Sequence, residues 1–466
     1  MKKIRDETQD TIAAIATPIG ESAIGIVRMS GRNTFEIADR VFSSKSGVVP
    51  SGTKPFRALY GHVSDPDKNQ RIDEVLLLVW KAPRSYTCED MVEIQAHGGP
   101  VGLRQILELL LRLGARLAKP GEFTERAFLN GRIDLSQAEA ILDIIRAKTD
   151  ASLRCAMEQL GGGLSKQIRE FRDELLDCLA HVESSIDFPD EDIEIMDENR
   201  LLERLTRLDR QLEGLLQSAS SGIIFREGLV TVIVGRPNVG KSSLLNALLR
   251  HNRAIVTPIA GTTRDAIEEM ANIRGIPVRL VDTAGVQETQ CPIELEGVSR
   301  SRAYLERADL VLMVLDGSEA ATPEDEKLLE SVREKRVIFV VNKEDLPPKL
   351  EVSRLLKTQN GSSVIRLSAL TGKGMERLEE AVDQCVGQGK LNFSEGSLVT
   401  NTRHQKALAS ARQALRTAIE GLSHRAPAEV IAVDLREALE DLGEVVGEVV
   451  TEDLLDKIFS QFCIGK

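Results

Sequence analysis

The run Gly235–Ser243 (Gly-Arg-Pro-Asn-Val-Gly-Lys-Ser-Ser) restricts what this chain can fold into more than any other stretch. A short apolar segment, Leu229–Val234, leads into it, and Leu244–Leu249 continues from it with helical character. Strand, glycine-bounded loop and helix in that order form the context a phosphate-binding loop requires. Gly235 and Gly240 permit a tight turn, so that successive N–H groups from Asn238 through Val239 and Gly240 to Ser243 face a polyphosphate. The helix opening near Lys241 adds unpaired N–H groups and the positive end of its dipole. Lys241 neutralises β/γ-phosphate charge, and the Ser242 hydroxyl suits Mg²⁺. A domain built on this run binds a nucleotide.

Further stretches follow in a workable order. Asp282-Thr283-Ala284-Gly285 succeeds the strand-like Pro277–Val281; its aspartate suits water-mediated Mg²⁺ binding, and the Gly285 N–H suits a γ-phosphate. Asn342-Lys343-Glu-Asp345 succeeds Val337–Val341, and the Asp345 carboxylate accepts the two N–H donors on guanine's Watson–Crick edge. Ser368-Ala369-Leu370 succeeds Val364–Leu367 and offers a backbone N–H to the base. Between phosphate loop and Asp282 lies Thr257-Pro258-Ile259-Ala260-Gly261-Thr262-Thr263-Arg264-Asp265, where a γ-phosphate-sensing switch belongs. Each motif alone is weak, since an isolated Asn-Lys-x-Asp is usually a solvated turn. Together, in this order, they specify GTP.

Hydrolysis needs an oriented water. Many small GTPases supply a glutamine directly after Asp-x-x-Gly; here that position is Val286, which has nothing to offer, and Glu294 is one candidate further along. Asn238 carries a side-chain oxygen close to the phosphates and suits a monovalent cation. Arg264 resembles an arginine finger, but a structural role in the switch is the better reading.

A length of 466 residues exceeds one core and implies about two to four domains. The first stretch, 1–130, reads as α+β, with strands at Thr11–Ile15, Ala23–Val27, Ile72–Trp80 and Met91–Ile94. Helices are expected at Thr34–Phe42 and Val101–Leu117, and a loop at Ser43–Pro55. A helical segment fills 131–225, the GTPase domain 226–387, and a second helical segment 388–466. The stripes Leu201, Leu205, Leu208, Leu212, Leu215 and Leu408, Ala411, Leu415, Ala418, Leu422 each need an apolar partner. Packing them together makes one discontinuous helical domain with a Ras-like GTPase domain inserted; two separate bundles are the alternative. A net charge of −12 argues against an overall electrostatic grip on nucleic acid, though not against a local basic patch. Six scattered cysteines without a Cys-x-x-Cys pair fit a reducing cytosol, and no apolar stretch spans a bilayer, so a cytoplasmic chain is expected.

On further stretches the chain resembles the tRNA modification GTPase family, MnmE or TrmE. These are Thr11–Gly20, Ser85–Asp90, His97–Pro100, Lys119–Asn130, Ile186–Asp190 and the terminal Phe462-Cys-Ile-Gly-Lys466. The resemblance implies that the N-terminal domain binds 5-formyl-tetrahydrofolate and forms a homodimer. It implies potassium-dependent GTP hydrolysis and a FAD- and NADH-dependent partner, MnmG, in a heterotetramer or larger complex. The implied substrate is the wobble uridine of certain tRNAs, modified at carbon 5 with an aminomethyl or carboxymethylaminomethyl group. By motif match, Asn238, Thr257, Ile259 (main chain) and Thr262 would surround K⁺, and Ser242 and Thr263 would bind Mg²⁺. Glu294 would orient the water. Arg28, Glu93, Arg132 and Lys466 would contact the folate, a guanidinium suiting its glutamate tail and a carboxylate its pterin N–H donors. Cys463 would be a functional thiol; a small buried hydrophobe is the competing reading. The chain departs from the family at Cys88, where glycine is usual, so a positive φ there would strain the turn.

Blander readings attach to other groups. His97 is better explained by a turn after Met91–Ile94 than by catalysis. Glu437, Glu440, Asp441, Glu444 and Glu448 make a solvated acidic face, poor for RNA and suited to a protein partner. A regulatory GTPase of ribosome assembly, and a folate-dependent aminomethyltransferase regulated by GTP, are the competing functions.

Overall fold

The computed structural model describes residues 10–187, 198–252, 268–282, 304–355, 363–386 and 398–466. The chain divides into two compact units, Met1–Leu142 with Gly443–Lys466, and Asp143–Leu442.

Alternation of burial builds the sheet of the first unit. Its strands are β1 (Ile12–Ile15), β2 (Ser22–Ser30), β3 (Phe42–Ser44), β4 (Arg57–Asp65), β5 (Gln70–Trp80), β6 (Met91–Gly98) and β7 (Arg116–Leu117), ordered β3-β4-β5-β6-β2-β1-β7. Val75, Leu77 and Val79 on β5 join Val92 and Ile94 on β6 and Val27 and Met29 on β2 in one core. Helices Thr34–Val41 and Pro100–Arg112 cover that face through Ile37, Ala38, Val41, Leu103, Ile106 and Leu110. The period of two sends Arg28, Leu78 and Glu93 to the other face, and the register sets Glu93 opposite both. The helix expected to reach Leu117 stops at Arg112: Gly114 adopts φ 111°, and Arg116–Leu117 instead pairs parallel to β1. Strand β4, and β3 where the expected helix meets the expected loop, carry too few apolar residues to signal themselves; pairing of β4 with β5, and of β3 with β4, makes them strands.

The chain end is stitched into this unit. Leu455, Ile458 and Phe459 of helix Glu452–Phe459, with Phe462, pack on Phe128 and Leu129 of helix Glu122–Leu129. Main-chain bonds from Phe123 N–H to the Lys466 carbonyl (3.1 Å) and from Gly121 N–H to the Cys463 carbonyl (3.4 Å) fix the last residues.

The second unit holds β8 (Leu229–Val234), β9 (Glu268–Ile273), β10 (Ile276–Asp282), β11 (Leu310–Asp316), β12 (Val337–Asn342) and β13 (Ser363–Arg366), ordered β13-β12-β11-β8-β10-β9. Only β9 runs antiparallel to its neighbour. β11 and β12 are buried throughout and apolar up to their last residues, Asp316 and Asn342, as strands covered on both faces must be. The order reverses around β8, and the crevice at the carboxyl ends of such strands is where open α/β sheets bind ligands. Helix Glu198–Glu227 packs along helix Thr402–Ser423, so Leu201, Leu205, Leu208, Leu212 and Leu215 are buried together with Leu408, Ala411, Leu415 and Ala418. Arg412 bonds Asp209 at 2.8 Å across this seam. Phe225 runs into the core of the six-stranded sheet, and the helix continues to Glu227, two residues past the expected helical segment. Among the described residues no helix is long and apolar enough to cross a membrane.

Candidate functional sites

The nucleotide cradle forms where β8 ends. Val234 closes the strand, Asn238 turns at φ 61°, and Gly240 at φ 97° opens helix Lys241–Asn252. Val239 is buried in the core and pins the loop from beneath, leaving Asn238, Ser242 and Ser243 on the surface. The Lys241 ammonium folds back over the loop, donating to the Gly235 and Arg236 carbonyls, each at 2.9 Å. It is thereby preset over the concavity in which phosphate oxygens would lie.

Asn342, buried at the end of β12, ties three motifs together. Its Nδ2 donates to the Val239 carbonyl at 2.9 Å, and its Oδ1 accepts from the Ala369 N–H at 2.9 Å. A Cβ at position 240 would stand 2.3 Å from that Nδ2, so the position must be glycine. Lys343 adopts φ 65° and meets Asp316 at 2.6 Å. Burial pushes the Asp316 carboxyl up, but Lys343 and the Ser318 hydroxyl and N–H outweigh it and hold it below the ordinary value. Asp345 stands exposed beside this frame; Ser368 is buried and Leu370 is 85% exposed. On the other flank, Arg236 pairs with Glu319 (2.9 Å) and Asp325 (3.2 Å). Asp316 and Arg236 carry no expected role in the sequence reading. The run Leu310–Leu315 ending in Asp-Gly was the available signal for Asp316.

Asp282 is the last residue of β10. Thr257, Pro258, Ile259, Ala260, Gly261, Thr262, Thr263, Arg264, Thr283, Ala284, Gly285, Val286 and Glu294 lie outside the described residues.

The first unit contains a cavity of about 520 Å³, lined by Phe56, Trp80, Tyr86, Cys88, Glu93 and Arg132 among others. That volume falls in the range of small-molecule sites. Glu93 of this lining is met by the Arg28 guanidinium at 2.7 Å, which also donates to the Gly465 carbonyl at 3.1 Å. Its Cζ also stands 5.5 Å from the ring centres of both Tyr86 and Phe123. Arg132 stacks on Tyr86 at 4.7 Å and bonds its carbonyl at 3.3 Å, and the Tyr86 hydroxyl meets Thr124 at 2.9 Å. Lys466 is half-buried; burial, then Arg28, pushes its ammonium below the ordinary lysine range. Arg28, Glu93 and Lys466 are therefore neighbours, with Arg132 joined to them through Tyr86.

Two lining residues, Phe56 (φ 61°) and Cys88 (φ 60°), adopt the left-handed conformation that glycine favours. Such strain gathers where a site needs it. The Cys88 loop is held by a buried charge network: Arg126, 1% exposed, reaches Asp10 (2.5 Å), Glu89 (3.2 Å) and Glu122 (3.0 Å). Glu89 also accepts from Ser30 at 2.8 Å, and Asn130 donates to the Thr87 carbonyl at 2.7 Å. The residues around Cys88 give no sequence signal for this network, because its members come from distant segments. Cys463 is exposed, which removes the buried-hydrophobe reading. His97 does not sit in a turn. It lies inside β6, where Gly98 still pairs with Ser22, and its Nδ1 meets Asp73 at 2.7 Å.

The open parallel sheet, phosphate loop and motif-bearing strand ends define a P-loop GTPase domain, here accompanied by packed helices and an N-terminal α+β unit. Comparison with known proteins agrees. The model "GTP-binding protein TrmE N-terminus" matches residues 11–132, and "MnmE helical domain" matches 135–463. The tRNA modification GTPase MnmE of Alkaliphilus metalliredigens (strain QYMF) is 50% identical over 98% of this chain and 99% of its own. That of Bacillus subtilis (strain 168) is 49% identical over 98% and 100% respectively. The chain belongs to the tRNA modification GTPase MnmE family.

Proposed function

We propose that this chain is a potassium-dependent GTP hydrolase that acts with a flavin-dependent partner, MnmG, in tRNA modification. The reaction adds an aminomethyl or carboxymethylaminomethyl group to carbon 5 of the wobble uridine. The observation that carries the GTP reading is the Asn342 bridge, which brings the phosphate loop and the Ala369 loop to one end of the sheet beside Asp345. Asp345 is exposed and accepts the guanine N–H donors, while Lys241 and the loop N–H groups take the phosphates. Ser242, exposed at the helix start, fits Mg²⁺ together with Thr263. Asn238, exposed on the loop at φ 61°, fits K⁺ together with Thr257, Ile259 and Thr262. Such cations supply positive charge to the transferring phosphoryl group. Glu294 orients the water.

The cavity over Arg28 and Glu93 supports the folate reading, with Arg132 and Lys466 completing the set and Cys463 as an exposed candidate thiol. Glu93 is suited to pterin N–H donors, and the surrounding guanidiniums to carboxylates. Tyr60 and Leu76, opposite one another and both exposed on β4 and β5, support a homodimer through the open sheet face. Nucleoside mass spectrometry of tRNA from a deletion strain tests the whole reading. Loss of the wobble-uridine modification is expected; an unchanged nucleoside profile would sink it.

A further inference from the structure

Charge does not balance at the mouth of the N-terminal cavity. Its charged lining consists of Arg84, Arg132 and Glu93, and Glu93 is already neutralised by Arg28 at 2.7 Å. Among the described residues neither Arg84 nor Arg132 forms an ion pair. Arg132 is oriented by stacking on Tyr86 (4.7 Å) and by a bond to its carbonyl (3.3 Å), which leaves further guanidinium donors open. Arg84 is exposed, its main chain fixed by a bond from its N–H to the Lys81 carbonyl at 2.8 Å. On a chain of net charge −12, two unneutralised guanidiniums lining one cavity define a local anion site.

From this juxtaposition we infer that the lip formed by Arg84 and Arg132 is a subsite for a poly-γ-glutamyl tail, so that the cavity prefers polyglutamylated folate to the monoglutamyl form. The inference rests on the folate reading of the cavity. With the pterin end satisfied by Glu93, a monoglutamyl tail brings two carboxylates outward, and each further γ-linked glutamate adds one more. The guanidinium fork takes carboxylates in two parallel bonds, so the added groups have matched donors in Arg84 and Arg132. The exposed ring of Phe56, held at φ 61° on the same lip, gives the tail's benzoyl end an apolar wall.

Calorimetry on the full-length chain with mono- and triglutamyl 5-formyl-tetrahydrofolate tests this. The triglutamyl form is expected to bind about fivefold more tightly at low salt, the gap narrowing as salt is added. Arg84→Gln, a change at an exposed position, should bring the ratio of the two affinities towards one. Equal affinities in the unaltered chain overturn the subsite, as does a ratio that Arg84→Gln leaves intact. The salt titration of the unaltered chain decides the matter even if the variant is poorly behaved, because a salt-insensitive ratio excludes an ionic lip. Failure of both folates to bind overturns the folate reading, and the tail subsite with it.

Discussion

Asn342 donates its side-chain N–H to the Val239 main-chain carbonyl at 2.9 Å, so the end of one strand holds the loop that follows another. The same amide accepts from Ala369, and both bonds are buried or nearly so. Asn342 thus frames the cradle from behind while Asp345, three positions on, is exposed.

Asn342→Ala removes both bonds and leaves the Val239 carbonyl and Ala369 N–H without partners. Each buried group left unsatisfied costs about 1–3 kcal/mol. A drop in stability of roughly 2 kcal/mol is expected, with guanine-nucleotide affinity weakened roughly tenfold or more. Thermal unfolding and titration with a fluorescent GDP analogue read the two effects. A variant unchanged in both would show that the bridge does not hold the cradle.

The phosphate loop was legible in sequence because every signal it uses is local: an apolar strand, two glycines, a lysine and a helix start. The helical stripes were legible for the same reason, their period being written in consecutive residues. What local pattern does not show is non-local. Arg28 and Glu93, grouped in the sequence only by the family resemblance, are 65 positions apart, and the β2–β6 register sets them side by side. The Arg126 network joins Asp10, Glu89 and Glu122, and the Asp316–Lys343 pair joins the ends of two strands. Strand β4 shows mixed composition and gains its identity from a neighbour; β-structure depends on such context more than helix does.

Cys88 holds φ 60°, in the left-handed region that glycine favours. A non-glycine residue in that region costs about 1–2 kcal/mol, partly offset by the extra chain freedom glycine loses on folding. Cys88→Gly is therefore expected to stabilise the N-terminal unit by roughly 0.5–1 kcal/mol. Equilibrium denaturation in urea measures it. A variant less stable than the parent would mean that the thiol's contacts outweigh the backbone strain.

The Asp316–Lys343 pair sets a dependence on acid. The folded carboxyl is held below its ordinary value of 3.8, so its stabilisation is fully present above that value and is lost as pH falls through the folded one. Asp316→Asn cannot ionise, so its contribution to this acid loss disappears. The variant should be roughly 1–3 kcal/mol less stable near neutrality, because Lys343 loses its charged partner. The difference from the parent should then shrink below about pH 4. Melting temperatures from pH 3 to 7 give the comparison; parallel profiles would remove Asp316 from the acid response.

The two hydrolytic assignments separate by experiment. If Asn238 and its switch partners hold K⁺ in preference to the smaller Na⁺, exchanging KCl for NaCl at equal ionic strength should slow GTP turnover by at least roughly tenfold, because the site then goes unfilled and the positive charge an arginine would otherwise supply is lost. Equal rates in the two salts would reject the cation site. Glu294→Ala addresses the water instead: nucleotide affinity should persist while turnover falls by roughly 10²-fold or more, the scale of a lost general base. A Glu294→Ala chain that binds GTP and hydrolyses it at the parental rate would move water activation elsewhere. Val286 has no polar atom in its side chain with which to take over, so the search would pass to the remaining polar residues of the switch segments.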